Sequence, residues 1–337
     1  MRSTLEKNVV SAIRSQKPLS SDVWSVALYH KGEEWVGSYA GSELEETDSR
    51  SLYEIGSITK VFTALLLAHE VSKGNLNLTE PVHSFFKDHL DGKKSEITLK
   101  HLATHTSGLP RLPFRMMWRM LLPKPFYRRY KQNPYRTYGE TQLIQDLIKH
   151  MELDIPPSKT SNYSNFGYAL LGYILTTERK QSYDDAIKEA VLSPLELKET
   201  GYLLSSDLTS KLLTGFDPKG KPVEHWEFHH FAGAGALRSS IHDLLRFAKA
   251  NLHPPDWMKD AISMTHQVYV RDPEGVSVCL GWHKNERTGW LVHSGGTGGF
   301  RSFIAFHPEN QQAIIVLVNR AKDTVEEVVK QLIQEWK

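Results

Sequence analysis

A serine and a lysine stand three residues apart where a long apolar run begins, in the stretch EIGSITKVFTALLLAHE, residues 54–70. At that spacing Ser57 and Lys60 share one face of a helix. The positive end of a helix stabilises charge on the serine oxygen or on an oxyanion, and a desolvated lysine can take the serine proton. A capping serine followed by a surface lysine is the alternative. However, a lysine near the start of so apolar a helix needs a reason.

A tyrosine and an asparagine form a second candidate group, in PPSKTSNYSNFGYALLGYIL. Tyr163 and Asn165 precede an apolar helical run that begins near Phe166. A phenol oxygen relays a proton if nearby cations lower its pKa, and an amide can hold a substrate carbonyl. Taken alone, the triplet is equally explained by a tyrosine in a turn.

A third polar group lies between a strand and a glycine-rich turn, in WLVHSGGTGGFRSFIAF. The backbone N–H groups around His293, Ser294 and Gly295 can bind an oxyanion or pair with an extended substrate. A plain hairpin turn with a capping histidine is the alternative explanation.

The order of the three groups resembles that of the serine β-lactamase and penicillin-binding protein superfamily: S-x-x-K, then Y-x-N, then K/H-[ST]-G near the end. Four longer segments are similar to the class C β-lactamase-like group, which includes β-lactamases, D,D-peptidases, D-aminopeptidases and carboxylesterases. These segments are ITLKHLATHTSGLP, SNYSNFGYALLGYIL, GALRSSIHDLLRFA and HSGGTGGFRSFIAFHPE. The resemblance runs from about residue 20 to about residue 320.

The resemblance implies a catalytic role for each matching residue. Ser57 would be the nucleophile, and Lys60 would be its hydrogen-bonded partner and part of the base. Tyr163 would be the second general base or acid, which protonates the leaving group. Asn165 would orient the substrate and Lys60. His293 would take the place of the strand lysine or histidine of the family.

The resemblance also implies a substrate-binding wall. The backbone N–H groups of Ser57 and Gly296 would form the oxyanion hole, and Ser294 and Gly295 would contact the substrate. Arg301, in GGFRSF, offers either a cation for a substrate carboxylate or a salt bridge within the sheet. His105, in THTSGLP, is interpreted as structural.

These roles predict a serine hydrolase that cleaves an ester or amide through an acyl-enzyme on Ser57. The implied activities are carboxylesterase, D-aminopeptidase or D,D-peptidase, with weak β-lactam turnover at best. A neutral His293 would hold a substrate carboxylate, and lower the Tyr163 pKa, less well than a permanent cation. The alternative is a catalytically poor penicillin-binding or ligand-sensing protein that is acylated, or binds, without turnover.

The elements that must position these residues suggest an α/β (α+β) fold. Strand patterns lie near both ends of the chain and helical patterns in the middle, which predicts an antiparallel sheet flanked by helices with an inserted all-α domain. The predicted division is residues 1–75 and 230–337 for the α/β sandwich and 76–229 for the helical domain, with the active site between them. Hairpins are expected around Lys31-Gly32 and across HPENQ, and a helix cap at Ser240.

Residues 111–136 form a basic, aromatic stretch that the site does not explain. The stretch predicts either a loop-rich flap that covers the helical domain or a lid over the cleft; contact with a membrane surface or nucleic acid has less support. It contains no acidic residue, and its basic residues are Arg111, Arg115, Arg119, Lys124, Arg128, Arg129, Lys131 and Arg136.

Composition excludes several classes of protein. The 337 residues are 40% hydrophobic and 24% charged, and the net charge of +2 gives no global field for nucleic acid or membrane. There is no secretory h-region and no apolar run long enough to span a bilayer, so we expect a soluble, cytoplasmic protein. The single cysteine, Cys279, is interpreted as a packed apolar residue. No motif indicates a metal or cofactor, and we expect a monomer or weak homodimer with a small ester, peptide or β-lactam as substrate.

The histidine of the third motif gives a direct test. His293→Lys would place a permanent cation beside the nucleophile, so we expect it to move the pH optimum and to favour carboxylate-bearing substrates. The measurement is kcat/KM against pH for a carboxylate-bearing and a neutral ester. An unchanged pH–rate profile would contradict the proposed role of His293.

Overall fold

An eight-stranded antiparallel sheet forms the centre of the molecule in the computed structural model, which describes residues 2–90, 95–121, 133–153, 155–272 and 275–335. The strand order is β3-β2-β1-β12-β11-β10-β9-β8. The strands of this sheet are β1 Val23–His30, β2 Glu33–Ala40, β3 Glu45–Glu46, β8 Val276–Val278, β9 His283–Asn285, β10 Leu291–Gly296, β11 Arg301–His307 and β12 Gln312–Val318.

Shorter strands and the helices surround this sheet. Two-stranded ribbons pair β4 Leu52–Glu54 with β7 Arg238–Ser240, and β5 Gly215–Phe216 with β6 Pro222–Val223. The α-helices are α1 Arg2–Ser15, α2 Thr59–Ser72, α3 Leu99–Ala103, α4 Phe114–Met120, α5 Glu140–Glu152, α6 Asn165–Arg179, α7 Tyr183–Ile187, α8 Ser206–Ser210, α9 Ala232–Gly235, α10 Ile241–Leu252, α11 Lys259–His266 and α12 Val325–Glu335. A π turn, Lys188–Leu192, follows α7, and 3-10 turns lie at Gly56–Ile58, Val82–His89, His229–Phe231 and Asp256–Met258.

The sheet is built from both ends of the chain, as predicted. Strand β1 pairs on one side with β2 through the expected turn at Lys31-Gly32, where both residues have positive φ. On its other side β1 pairs with β12, so that Trp24 lies opposite Val318. The expected hairpin across HPENQ joins β11 to β12. The predicted α/β fold with an antiparallel sheet and flanking helices is therefore confirmed.

Each face of the sheet buries a separate apolar core, because alternate side chains of a strand point to opposite faces. On one face Val26 and Val316 pack with α1 and α12. On the other face Ala27 and Ile315 join the larger core, which includes α2 and the helices of the middle segment. This second core connects the sheet to the helical part of the chain.

The motif serine lies in a 3-10 turn before its helix and not at the helix cap. Helix α2 begins at Thr59, its N-cap is Ile58, and no side chain caps it. The explanation of Ser57 as a helix-capping residue is therefore wrong. Helix α2 is buried around nearly its whole circumference, which leaves few solvent-facing positions for a lysine at its first turn.

The middle segment is mostly helical, and it also carries the β5–β6 ribbon that the sequence did not indicate. Ser240 caps α10 as predicted, since its hydroxyl accepts from the Asp243 N–H at 3.2 Å. Among the described residues, no helix combines the length and the apolar composition that crossing a bilayer requires.

The basic, aromatic stretch is described only in part, because residues 122–132, with Lys124, Arg128, Arg129 and Lys131, lie outside the described residues. Tyr135 is buried and stacks on Phe228 with ring centroids 4.8 Å apart. Arg136 pairs with Glu227 at 2.9 Å. By contrast, Trp118 on α4 is 70% exposed. The C-terminal end of the stretch therefore packs on the helical part, and a lid function stays a prediction.

The turn that carries the motif serine gives a test of stability. Gly56 has φ +49°, and a Cβ there would lie 2.6 Å from the Gly296 nitrogen. We expect Gly56→Ala to lower the free energy of unfolding by roughly 3 kcal/mol, from left-handed strain and backbone overlap together. Gly74→Ala is the matched control, because Gly74 has φ +76° and open space around it. It should cost only about 1 kcal/mol. Equal losses in urea unfolding would contradict the close approach at Gly56.

Candidate active site

Residues from all three motifs line one cavity of about 770 Å³. Ser57 comes from the 3-10 turn before α2, Tyr163 from the loop before α6, and His293 from strand β10. Ser294, Gly295, Gly296 and Arg301 line the same cavity. The structure thus brings together side chains that are far apart in the sequence.

The Lys60 amine is fully buried beside the Ser57 hydroxyl. Lys60 Nζ lies 3.1 Å from Ser57 Oγ and donates a hydrogen bond to the Ala234 carbonyl at 2.6 Å. Burial, and next the positive charge of Arg111, hold the Lys60 pKa well below its usual value. The lowered pKa favours the neutral amine, whose lone pair can accept the Ser57 proton.

The Tyr163 phenol lies between two basic side chains. Lys60 Nζ is 4.9 Å and the Arg111 guanidinium carbon 5.4 Å from its ring centroid, and Ser57 lines the same cavity. Burial nevertheless raises the Tyr163 pKa above its usual value and outweighs the lowering by Ser57 and Arg111. The phenol keeps its proton at neutral pH, which suits a proton donor or relay and not a resting base.

The His105 ring packs against the ring of Tyr163. Their ring centroids are 4.4 Å apart, and His105 Nδ1 accepts a hydrogen bond from the Ser164 N–H at 3.1 Å. Burial, followed by the charge of Lys60, holds the His105 pKa well below its usual value. The neutral ring fixes the loop that carries Tyr163, which agrees with a structural role.

Asn165 does not contact the lysine as the resemblance implied. No hydrogen bond joins the described side chains of Asn165 and Lys60. Instead Asn165 Nδ2 donates to the Tyr135 hydroxyl at 3.0 Å, and Ala234 provides the acceptor for the amine. The Asn165 Oδ1 atom is buried without a partner among the described residues. The amide is therefore held by Tyr135 and retains one free acceptor.

Strand β10 provides the opposite wall of the cavity. His293 Nδ1 donates to the Ser294 carbonyl at 2.7 Å, so Nε2 is an acceptor, and it is buried without a partner among the described residues. Burial and the neighbouring His283 and Lys60 hold the His293 pKa well below its usual value. The ring is neutral and supplies no cation at this wall.

The strand approaches the serine turn too closely for any side chain between them. A Cβ at Gly295 would lie 2.0 Å from the Ile55 carbonyl oxygen. The Ser302 hydroxyl donates to that same oxygen at 2.8 Å and ties β11 to the turn. This approach places the Gly296 backbone beside Gly56, the residue that precedes Ser57, and the role of its N–H in an oxyanion hole stays a prediction.

Arg301 forms a salt bridge, as the alternative to substrate binding supposed, but its partner lies between β12 and α12 and not in the sheet. Its Nε atom lies 2.5 Å from Asp323 Oδ1. Its Nη1 atom donates to the Thr297 carbonyl at 3.0 Å and to the Phe300 carbonyl at 2.9 Å. Although Arg301 lines the cavity, its Nε and Nη1 donors are occupied by the protein.

Several cavity residues were not predicted from the sequence, among them Arg111, Trp226, His283 and Glu326. Arg111 directly follows the segment THTSGLP, and this position was the available signal, although the residue was assigned to the flap. Trp226 is held by its backbone N–H, which donates to Glu54 at 2.7 Å. Nothing in the sequence connects these two segments. Among the described residues, no cluster of three or more acidic, histidine or cysteine side chains is arranged to hold a metal ion.

A family model and two sequence relatives match most of this chain. A family model described as Beta-lactamase matches residues 23–335. Protein flp of Staphylococcus aureus (strain N315) is 28% identical over 292 residues, which cover 83% of this chain and 55% of flp. The chain therefore spans about half the length of such relatives. A protein of Pseudomonas fluorescens named Beta-lactamase is 24% identical over 343 residues, with 90% of each chain covered.

Solved structures show the same fold. A beta-lactamase/D-alanine carboxypeptidase from Pseudomonas syringae superposes with a TM-score of 0.82 at 21% identity, covering 99% of both chains. A class C beta-lactamase superposes with a TM-score of 0.80 at 22% identity, covering 100% of this chain and 97% of the other.

The buried amine predicts how stability depends on pH. In the unfolded chain the Lys60 pKa is near 10.5, and in the fold it lies well below that. The unfolded state thus binds more protons between these two values, so the contribution of Lys60 to stability rises with pH across that window. Lys60→Met removes this dependence. The unfolding free energy of the wild type relative to Lys60→Met should therefore rise by up to about 1.4 kcal/mol per pH unit.

Urea unfolding of both proteins at pH values from 6 to 9 measures this slope. Lys73→Met is the matched control, because Lys73 is exposed at the end of the same helix. A difference between wild type and Lys60→Met that stays constant with pH would show that the amine is charged in the fold. That result would contradict a neutral base.

Proposed function

This chain belongs to the beta-lactamase family of serine hydrolases, and we propose that it cleaves an ester or amide bond through an acyl-enzyme on Ser57. The observation that carries this proposal is the 3.1 Å distance from Ser57 Oγ to Lys60 Nζ, together with the burial that lowers the pKa of the amine. A neutral amine at hydrogen-bonding distance is what a serine needs to become a nucleophile at neutral pH.

The first half of the reaction forms the acyl-enzyme. Ser57 Oγ attacks the substrate carbonyl carbon while its proton moves to Lys60 Nζ. The negative charge that develops on the carbonyl oxygen is stabilised by the backbone N–H groups of Ser57 and Gly296. The intermediate collapses when the bond to the leaving group breaks. Tyr163, which lines the same cavity as Ser57, gives its proton to the leaving group and recovers one from the Lys60 ammonium.

The second half releases the acyl group. Water attacks the acyl carbonyl and loses a proton to the pair formed by Lys60 and Tyr163, and Ser57 Oγ leaves and is reprotonated. The free Nε2 acceptor of His293 faces the same cavity and provides a further hydrogen-bonding position for substrate or water.

Electrostatics of the strand wall favour esters and peptides over β-lactams as substrates. A β-lactam carries a carboxylate, whereas His293 is neutral and Arg301 is paired with Asp323. We therefore propose a carboxylesterase, D-aminopeptidase or D,D-peptidase with weak β-lactam turnover. The names of the relatives support hydrolysis of acyl bonds, since one is a beta-lactamase and a structural neighbour is described as a beta-lactamase/D-alanine carboxypeptidase.

Replacing the nucleophile tests this proposal. Ser57→Ala should lower turnover of a short-chain 4-nitrophenyl ester by roughly a thousandfold or more. It should also abolish covalent labelling by a fluorophosphonate. Ser72→Ala is the matched control, because this exposed serine hydrogen-bonds only the His69 carbonyl among the described residues. The measurements are the initial rate and the mass of the labelled protein.

Two results would redirect the proposal. Full ester turnover and labelling in the Ser57→Ala protein would contradict a Ser57 acyl-enzyme. A wild-type protein that a penicillin labels stably at Ser57, but that turns over no ester, would favour the alternative of a binder acylated without turnover.

A further inference from the structure

The cavity around Ser57 has one basic side chain whose charge the described protein does not neutralise. Burial lowers the pKa values of His283 and His293 below the usual histidine value, so these rings are neutral at pH 7, and burial also favours the neutral form of Lys60. Arg301 is paired with Asp323. Arg111 is exposed and pairs with no carboxylate among the described residues. Any formal positive charge that a substrate meets in this cavity therefore comes mainly from Arg111.

Two backbone hydrogen bonds at the start of α6 and the ring of Tyr163 hold Arg111 in place. The Arg111 carbonyl accepts from the Asn165 N–H at 3.0 Å and from the Phe166 N–H at 3.3 Å, which fixes it to the start of α6. Its guanidinium carbon lies 5.4 Å from the Tyr163 ring centroid, a distance at which the cation and the ring attract. A guanidinium presents its donors as a planar fork that matches a carboxylate. The side chain is thus ready to bind an anion beside the nucleophile.

Acidic side chains lie at another part of the cavity wall. Residues 323–326, at the start of α12, line it with two carboxylates. Asp323 is paired with Arg301, and Glu326 is exposed without an ion pair among the described residues. A substrate anion is therefore repelled near Glu326 and attracted near Arg111. The cavity is therefore negative at the α12 wall and positive at the Tyr163 wall.

We propose that Arg111 determines substrate specificity by binding a carboxylate on the part of the substrate that lies along the Tyr163 wall. The preferred substrates are then esters or amides that carry a carboxylate on that part, and the wall formed by β10 and α12 does not bind the anion. This proposal rests on the proposed hydrolase function and adds the substrate class to it.

A pair of esters of equal length tests the proposal. 4-Carboxyphenyl hexanoate carries a carboxylate on its leaving group where 4-methylphenyl hexanoate carries a methyl group, and Ser57→Ala provides the blank for both. We expect Arg111→Gln to lower the ratio of kcat/KM for the anionic ester to that for the neutral ester about tenfold, through loss of a charge-assisted hydrogen bond. Arg115→Gln removes the same charge four residues away, outside the cavity, and should leave the ratio unchanged.

The pH dependence of kcat/KM provides a second test, because a purely structural role of Arg111 would not shift it. The positive charge of Arg111 is one of the causes that lower the Lys60 pKa. Without it that pKa rises, so the acid limb of kcat/KM for the neutral ester should move to higher pH in Arg111→Gln. Arg111→Lys keeps the charge and should preserve the acid limb while losing part of the preference for the anionic ester. Glu326→Gln should raise that preference, and this variant serves if Arg111→Gln unfolds.

The outcomes separate the two proposals. If wild-type protein hydrolyses the neutral ester through Ser57, and Arg111→Gln and Arg115→Gln give the same ratio as wild type, the role of Arg111 is wrong and the hydrolase function stands. A wild-type protein that favours the neutral ester, with a ratio that Arg111→Gln leaves unchanged, also overturns it. If neither ester is hydrolysed and Ser57 is not labelled, both proposals fail.

Discussion

The desolvated amine of Lys60 beside the Ser57 hydroxyl is the interaction on which the other features of this structure depend. Moving an ammonium group out of water costs several kcal/mol, so an isolated lysine in a protein interior gives up its proton. The surrounding structure enforces this burial from several directions. Phe62 stacks on Phe247 with ring centroids 4.1 Å apart, and the Thr63 and Tyr183 hydroxyls share a hydrogen bond at 2.7 Å. The helix that carries the amine is thus fixed by both parts of the fold.

Most of the groups around the Lys60 amine carry no positive charge. His105, His283 and His293 are rings whose pKa values burial lowers, so they add hydrogen-bonding atoms without adding positive charge near Lys60. Arg111 is the exception, and it lies where solvent reaches it. The same burial that favours the unprotonated amine keeps the Tyr163 phenol protonated. A base and a proton donor therefore arise from one apolar environment.

The sequence predicted the parts of the site that follow from local spacing, and it missed those that depend on distant segments. Ser57 and Lys60 are three residues apart, and the fold of both chain ends follows from the strand patterns around them. In contrast, the Asp323 partner of Arg301 and the Tyr135 partner of Asn165 lie in other segments. No periodicity encodes such contacts. The direction of the Tyr163 pKa was also beyond the sequence, because it is set by burial and not by the neighbouring cations alone.

The pairing of β1 with β12 has a consequence for how the molecule is made. Trp24 and Val318 lie side by side, although nearly the whole chain separates them, and Gly295 must reach Ile55 before the serine turn is held. Contacts over such separations form late, because long loops must close first. A nascent chain on the ribosome has therefore already exposed Ser57 and Lys60 long before the glycine strand emerges. Until then the nucleophile has no oxyanion partner, so hydrolytic competence arrives only after synthesis of the C-terminal strands.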